Sequence, residues 1–231
     1  MIVKEKLHSI VENIVIDIYR IEEALDLLKK IGERAENINS KDFGRLFNAI
    51  QLSLIIQIVI RTSRIFETPK NNRLNSIPYI LKFLSNNKEN IEIFERAKFI
   101  KALKQLGMNV NGLVRLHYNK LNEKCIDFFY EIIPEPKKST IKKLWVTLYK
   151  IKWQRDKVWS HNEILGNKKS IAPKFSEIDD LIDFAKKFVI AIGWGYTGTI
   201  YGHDFDWYLK DETELSGFQM EELLKISKIT L

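Results

Sequence analysis

The apolar positions near the N-terminus repeat at alternating spacings of four and three residues. They are Leu7, Val11, Ile14, Ile18, Ile21, Leu25 and Leu28. Because an α-helix has about 3.6 residues per turn, side chains at these spacings lie along one face. The pattern therefore predicts a long helix that packs lengthwise against another helix.

A second segment is apolar on nearly every side. It opens with Asn39, Ser40 and Asp42 as capping and first-turn residues. It continues with Phe43, Leu46, Phe47, Ile50, Leu54, Ile58 and Ile65. A helix without a polar face is expected in the interior, and its most apolar run is well short of the roughly 20 apolar residues of a membrane span. We predict a central, buried core helix.

The rest of the chain also has helical patterning, and no strand alternation or internal repeat stands out. The further predicted helices cover 76–84, 89–130 with a break near 107–112, 139 up to the segment that starts at Arg155, 176–192 with a capping box at its start, and 217–229. The expected fold class is all-α, with long antiparallel helices in one domain over residues 1–231.

Composition agrees with a folded helical protein. The chain is 45% hydrophobic and 29% charged, with only 10 Gly and 5 Pro, which argues against disorder. One cysteine, Cys125, cannot form an intramolecular disulfide, and the N-terminus lacks a signal-peptide pattern. We expect a soluble cytoplasmic protein with no membrane partner.

The net charge of +7 is concentrated in one segment. Residues 137–157 hold eight Lys or Arg against one acid, so this segment alone accounts for the net charge of the chain. A concentrated positive field attracts polyanions such as RNA, although a Lys-rich helix face is often only solvated.

Candidate chemistry lies at the end of this basic segment, in Arg155-Asp156-Lys157-Val158-Trp159-Ser160-His161. Arginine is a permanently charged phosphate ligand, and histidine moves protons near neutral pH. These two groups are sufficient in principle to cleave RNA by attack of the ribose 2′-OH on the adjacent phosphorus, without a metal ion. Lys150, Lys152 and Lys157 are the predicted RNA-binding residues.

The segment resembles the motif of the HEPN superfamily, in which Arg is followed by four to six residues and then His, often with a polar residue directly after the Arg. Ser63-Arg64-Ile65-Phe66, at the end of an apolar helix and followed by a loop and the 76–84 helix, resembles the abortive-infection AbiU-type branch. The resemblance covers about 42–192 and leaves 193–231 as a C-terminal extension.

This resemblance implies a helical bundle that acts as a metal-independent endoribonuclease in a prokaryotic toxin or antiphage system. His161 would be the general base or acid, Arg155 the phosphate ligand, and Asp156 the residue that orients one of them. The implied partners are RNA, a second copy of the chain and a cognate antitoxin of nucleotidyltransferase type. No cofactor or metal is expected. One branch of these toxins carries a Tyr that a nucleotidyltransferase modifies, whereas this chain has Glu163 at that place.

Helical geometry limits the motif. Six residues turn an ideal helix through about 600°, which leaves Arg155 and His161 about 120° apart around the axis. The helix must therefore bend or end near His161, or the productive pair is completed across a dimer interface.

Two alternatives remain open. A non-catalytic HEPN module would bind RNA, a nucleotide or a protein partner through the same basic surface, and a purely structural protein would use Arg155 only to pair with a carboxylate.

Other motifs carry weaker signals. Gly193 to Gly198 spells a dinucleotide-binding glycine pattern but follows a helix, so we interpret it as a helix end and turn. A loop cluster at 203–206 could offer metal ligands but lacks matched partners. His8 and His117 are interpreted as surface or core-edge residues, and Cys125 as a packed small hydrophobe.

Overall fold

The longest helix, α1 (Ile2–Glu33), is the element against which several other helices pack. Its predicted apolar seam is confirmed, since Leu7, Val11, Ile14, Ile18 and Ile21 are completely buried. The computed structural model describes residues 2–69, 74–134, 142–159, 172–203, 206–207 and 210–227.

The described part of the chain is all-α apart from one very short β-ladder. The α-helices after α1 are α2 (Ala35–Ser40), α3 (Gly44–Ile65), α4 (Ile77–Asn86), α5 (Arg96–Gln105), α6 (Tyr118–Ile132), α7 (Lys142–Trp153), α8 (Phe175–Ile192) and α9 (Lys210–Ile226). A 3₁₀ turn occupies Leu113–Arg115, and π-helices extend α7 over Gln154–Trp159 and α8 over Gly193–Thr197. β1 (Gly202–His203) pairs antiparallel with β2 (Asp206–Trp207), which the hydrophobic pattern did not predict.

Helix α3 runs antiparallel to α1. Near one end Phe47 shares a small core with Ile31, and further along Gln57 Nε2 donates to the carbonyl oxygen of Arg20 at 3.0 Å. Towards the other end Arg61 reaches Asp17. Helices α8 and α9 also pack on α1, so α1 contributes to the main core and to the smaller cluster around Ile31.

The outer face of α3 differs from the prediction. Ile58 and Ile65 are buried, but Leu46, Leu52 and Ile60 are between 44% and 56% exposed. The prediction of a central helix was wrong for this face, because apolar residues all around a helix do not indicate which of them are buried. This helix lies at the surface.

Helices α4 to α6 form the neighbouring part of the core. Ser76 caps α4 as predicted, with its side chain accepting a hydrogen bond from the Tyr79 backbone N–H. Arg96, at the start of α5, donates to the carbonyl oxygens of Leu113 and Leu116 and so fixes the turn before α6. The predicted break near 107–112 is confirmed, because the chain leaves α5 at Gln105.

The ends of α8 refine two predictions. The N-cap is Lys174, two residues before the predicted Ser176, and the Glu177 carboxylate accepts from the Lys174 backbone N–H at 2.8 Å. At the other end the helix widens into the π-helix and stops at Gly198, whose φ of 70° is the left-handed conformation that glycine adopts readily. The glycine-rich segment is therefore a helix end and turn, as predicted.

Among the described residues, α3 is the one helix that is both long enough and apolar enough to cross a membrane, judged by length and composition. A single such helix is weak evidence of a span, because the core helix of a soluble protein has the same composition. Helix α3 packs along α1, and 28% of its most apolar window is buried.

Candidate functional site

Arg155 lies where α7 changes its hydrogen-bonding pattern. The α-helix ends at Trp153, and Arg155 is the second residue of the π-helix that follows. Ile151 anchors the preceding turn in the core, and Lys152 Nζ donates to the carbonyl oxygen of Phe66 at 3.2 Å. Short π-helical turns occur often at functional sites. The junction holds Arg155 against the C-terminal end of α3.

The guanidinium of Arg155 contacts two carboxylates and one hydroxyl. Its Nε donates to Asp156 Oδ1 at 2.7 Å, and its Nη1 donates to Ser63 Oγ at 3.2 Å and to Glu67 Oε2. Burial lowers the pKa of Arg155, but the hydrogen bonds to Asp156 and Glu67 outweigh it, so that the pKa is raised. The side chain is a fixed cation that is 25% exposed.

These contacts have two consequences for phosphate binding. The carboxylates orient the guanidinium and offset its charge, so a phosphate must compete with Glu67 or Asp156. The hydrogen bonds from Arg155 to described residues use its Nε and Nη1 atoms, and none of them uses Nη2. Asp156 thus contacts Arg155 directly, and its role in catalysis stays a prediction.

A second cluster is formed by Arg61 and Arg64 of α3, which both contact Asp17 of α1. The Asp17 side chain is only 2% exposed and accepts from Arg61 Nη1 at 2.7 Å. It also accepts from Arg64 through both Nε, at 2.7 Å, and Nη2. Arg64 is half exposed and is therefore a positioned cation on the surface near Glu67.

Sequence reasoning missed Asp17. The available signal was a lone acid within the apolar stretch from Ile14 to Ile18. A charged residue within such a stretch requires a partner, and the partners come from positions 44 and 47 residues further along the chain.

Part of the basic surface of α7 is already paired. Lys150 Nζ donates to both carboxylate oxygens of Glu177, at 2.8 and 2.9 Å, and the pKa of Glu177 is lowered by this hydrogen bond and by that from the Lys174 backbone. Lys143 pairs with Asp180 in the same way. Acids of α8 thus offset two of the positive charges, and RNA would compete with Glu177 for Lys150. Lys157 lies in the π-helix, half-buried.

His161 and Glu163 lie outside the described residues, which end at Trp159 and resume at residue 172. The structure accordingly places Arg155 and Asp156 of the motif, and the pairing of Arg155 with His161 stays a prediction. Only Ser160 separates His161 in sequence from the π-helix.

No group of three or more His, Cys, Asp or Glu that could hold a metal ion occurs among the described residues. Two residues of the 203–206 cluster lie outside them. In the glycine-rich segment, Trp194 and Tyr196 are buried, and Tyr196 OH donates to Asn122 Oδ1 at 2.8 Å. These rings therefore fill the core and do not form a platform for a nucleotide base.

Searches against protein-family models, curated proteins and solved structures found nothing that matches this chain.

Proposed function

We propose that the protein is a metal-independent endoribonuclease whose active groups are Arg155 and His161. The observation that supports this most is the fixed, partly exposed guanidinium of Arg155, held at a π-helical turn immediately before the segment that contains His161. A pre-oriented cation stabilises a phosphorane-like transition state without reorganisation at the moment of reaction.

The proposed reaction has two proton transfers. His161 takes the proton from a ribose 2′-OH, the oxygen attacks the adjacent phosphorus, and the bond to the 5′-oxygen breaks. The leaving 5′-oxygen takes up a proton from water, and the products are a 2′,3′-cyclic phosphate and a 5′-hydroxyl. Arg155 binds the non-bridging phosphate oxygens, first through Nη2 and then by exchange with Glu67.

The half-exposed Arg64 extends this phosphate surface along the RNA backbone. Lys152 precedes the motif and Lys157 lies within it, and both are proposed to contact neighbouring phosphates. A cytoplasmic toxin or antiphage effector, acting as a homodimer and restrained by a cognate antitoxin, is the biological setting that we propose.

A non-catalytic RNA-binding module is the second candidate. The observation that favours it is that Arg155 is already paired with Glu67 and Asp156, as expected of an arginine whose role is to join α3 to the π-helix.

Cleavage and affinity must be measured separately to distinguish the two candidates. For the enzyme, His161→Ala is expected to abolish cleavage while the fold and RNA affinity stay close to wild type. The matched control is His117→Ala, at the exposed cap of α6, which should leave cleavage unchanged. If wild type binds RNA in a salt-sensitive manner but cleaves none, the module is the correct function; if His161→Ala unfolds the chain, His161 is structural.

A further inference from the structure

Two aromatic rings lie side by side on the surface of α7. Tyr149 is 51% exposed, and Trp145, four residues before it, is half-buried. The centroids of the two rings are 5.9 Å apart, and the ring planes are inclined to each other by 32°. Side chains four residues apart are neighbours on the surface of a helix. The two rings therefore form one continuous strip, which we call the aromatic strip.

The aromatic strip lies outside the hydrophobic core. The core side of α7 consists of the buried residues Leu144, Thr147, Leu148 and Ile151. At 3.6 residues per turn, Tyr149 and the exposed Lys142 lie on the opposite side of the helix. Neither Trp145 nor Tyr149 belongs to a core cluster of the described residues. Tyr and Trp are enriched at interaction surfaces, so the aromatic strip is a candidate for such a surface.

The charge of α7 indicates which kind of ligand fits the strip. The helix has four lysines and no Asp or Glu. Lys143 and Lys150 pair with acids of α8, but Lys142 lies on the exposed side that carries Tyr149. Phe218, by comparison, is 58% exposed on α9, a helix with five acids and two lysines. Surfaces that bind single-stranded nucleic acid combine aromatic rings, on which bases stack, with a positive field that attracts phosphates.

We propose that Trp145 and Tyr149 stack on unpaired bases, and that the RNA bound at α7 is therefore single-stranded. In a double helix the faces of the bases are covered by their neighbours, so an aromatic side chain on the outside has no base face to stack on. Lys142, one turn before Trp145, contacts a phosphate of the same strand. Tyr149 precedes Arg155 by six residues, about 9 Å along the helix axis, so the strip lies less than two turns from the candidate site. This inference rests on the proposed binding of RNA but not on its cleavage.

Binding of labelled RNA by the full chain tests the proposal, with RNA that is fully 2′-O-methylated so that it is not cleaved. We expect Tyr149→Ala to weaken binding of a single strand at least about fivefold, and to leave binding of an abasic strand of equal length unchanged. Tyr149→Phe keeps the ring and should bind the single strand within about twofold of wild type. Phe218→Ala removes a similarly exposed ring from α9, and as the matched control it should have no effect.

The outcomes separate this proposal from the proposed function. If Tyr149→Ala binds the single strand as tightly as wild type does, or if wild type binds the abasic strand equally well, the stacking proposal is overturned while RNA binding through phosphates stands. If wild type shows the expected dependence on bases but cleaves no unmodified RNA, the stacking proposal is supported and the nuclease is refuted.

Photo-cross-linking of wild type decides the matter if Tyr149→Ala does not fold. A single strand that contains thiouridine forms covalent adducts, under ultraviolet light, with side chains that its bases contact. Trypsin cuts after Lys143 and Lys150, so Trp145 and Tyr149 fall in one peptide, residues 144–150. We expect mass spectrometry to find an RNA adduct on this peptide. Adducts that occur only on other peptides would overturn the proposal.

Discussion

Replacing Asp17 by Asn should lower the free energy of unfolding, although the two side chains have nearly the same shape. The carboxylate is nearly fully buried and accepts three hydrogen bonds, one from Arg61 and two from Arg64. Asparagine keeps the volume but removes the charge, and its amide group brings a donor against two guanidinium donors.

The size of the effect follows from burial and exposure. Removing one partner of a buried ion pair costs about 3–5 kcal/mol, because the remaining charge stays buried and unpaired. Here Arg61 and Arg64 are 28% and 50% exposed, so water can solvate them in the variant. We therefore expect a loss of about 2–3 kcal/mol, which for a chain of this size lowers Tm by about 4–12 °C.

Urea unfolding followed by circular dichroism measures this loss, with Asp183→Asn as the matched control. Asp183 is 60% exposed and pairs with Lys187 one helical turn away, a type of pair that contributes only about 0.3–0.5 kcal/mol. If Asp17→Asn were as stable as Asp183→Asn, Asp17 would not hold α1 and α3 together and this reasoning would be refuted.

Three further predictions concern packing, a thiol and the candidate site. Gly195→Ala would place a methyl group within 2.8 Å of an aromatic ring and should cost about 1–3 kcal/mol in urea unfolding, whereas Gly32→Ala, with open space around it, should stabilise α1 by about 0.5–1 kcal/mol. Burial raises the pKa of Cys125 to about 12, so at pH 8 the thiol should react with a thiol reagent at least about 100-fold faster in urea than in the folded chain. Since this folded pKa exceeds the unfolded value of 9.0, the thiol's contribution to stability is complete below pH 9 and is lost as pH rises towards 12, which alkaline unfolding curves should show. Glu67→Gln removes a competitor for Arg155 and should raise RNA affinity about two- to fivefold in filter binding; unchanged or weaker binding would contradict a phosphate-binding role for Arg155.

The sequence predicted the α1 seam and most helix positions because burial on one side leaves a 3.6-residue period. It did not predict the exposed side of α3, since a helix that is apolar all round has no period that distinguishes its buried face from its exposed one. It also did not predict the π-helix after Trp153, because the wider turn changes hydrogen bonding without a distinct apolar pattern.

The charge pattern gave the location of the candidate site but not its electrostatics. The charges counted along the chain indicate that 137–157 is a strongly positive segment. In the fold, Glu67 reaches Arg155 from 88 residues away, and Glu177 reaches Lys150 from 27 residues away. Such long-range pairing is set by helix packing, which local sequence does not encode.

The most direct test of the proposed chemistry is incubation of the purified chain with end-labelled RNA in EDTA, beside the same RNA fully 2′-O-methylated. We predict that wild type cleaves the unmodified RNA and leaves 2′,3′-cyclic phosphate ends, and that it leaves the methylated RNA intact because the attacking hydroxyl is blocked. Cleavage of the methylated RNA, or no cleavage of the unmodified RNA, would contradict the proposed mechanism.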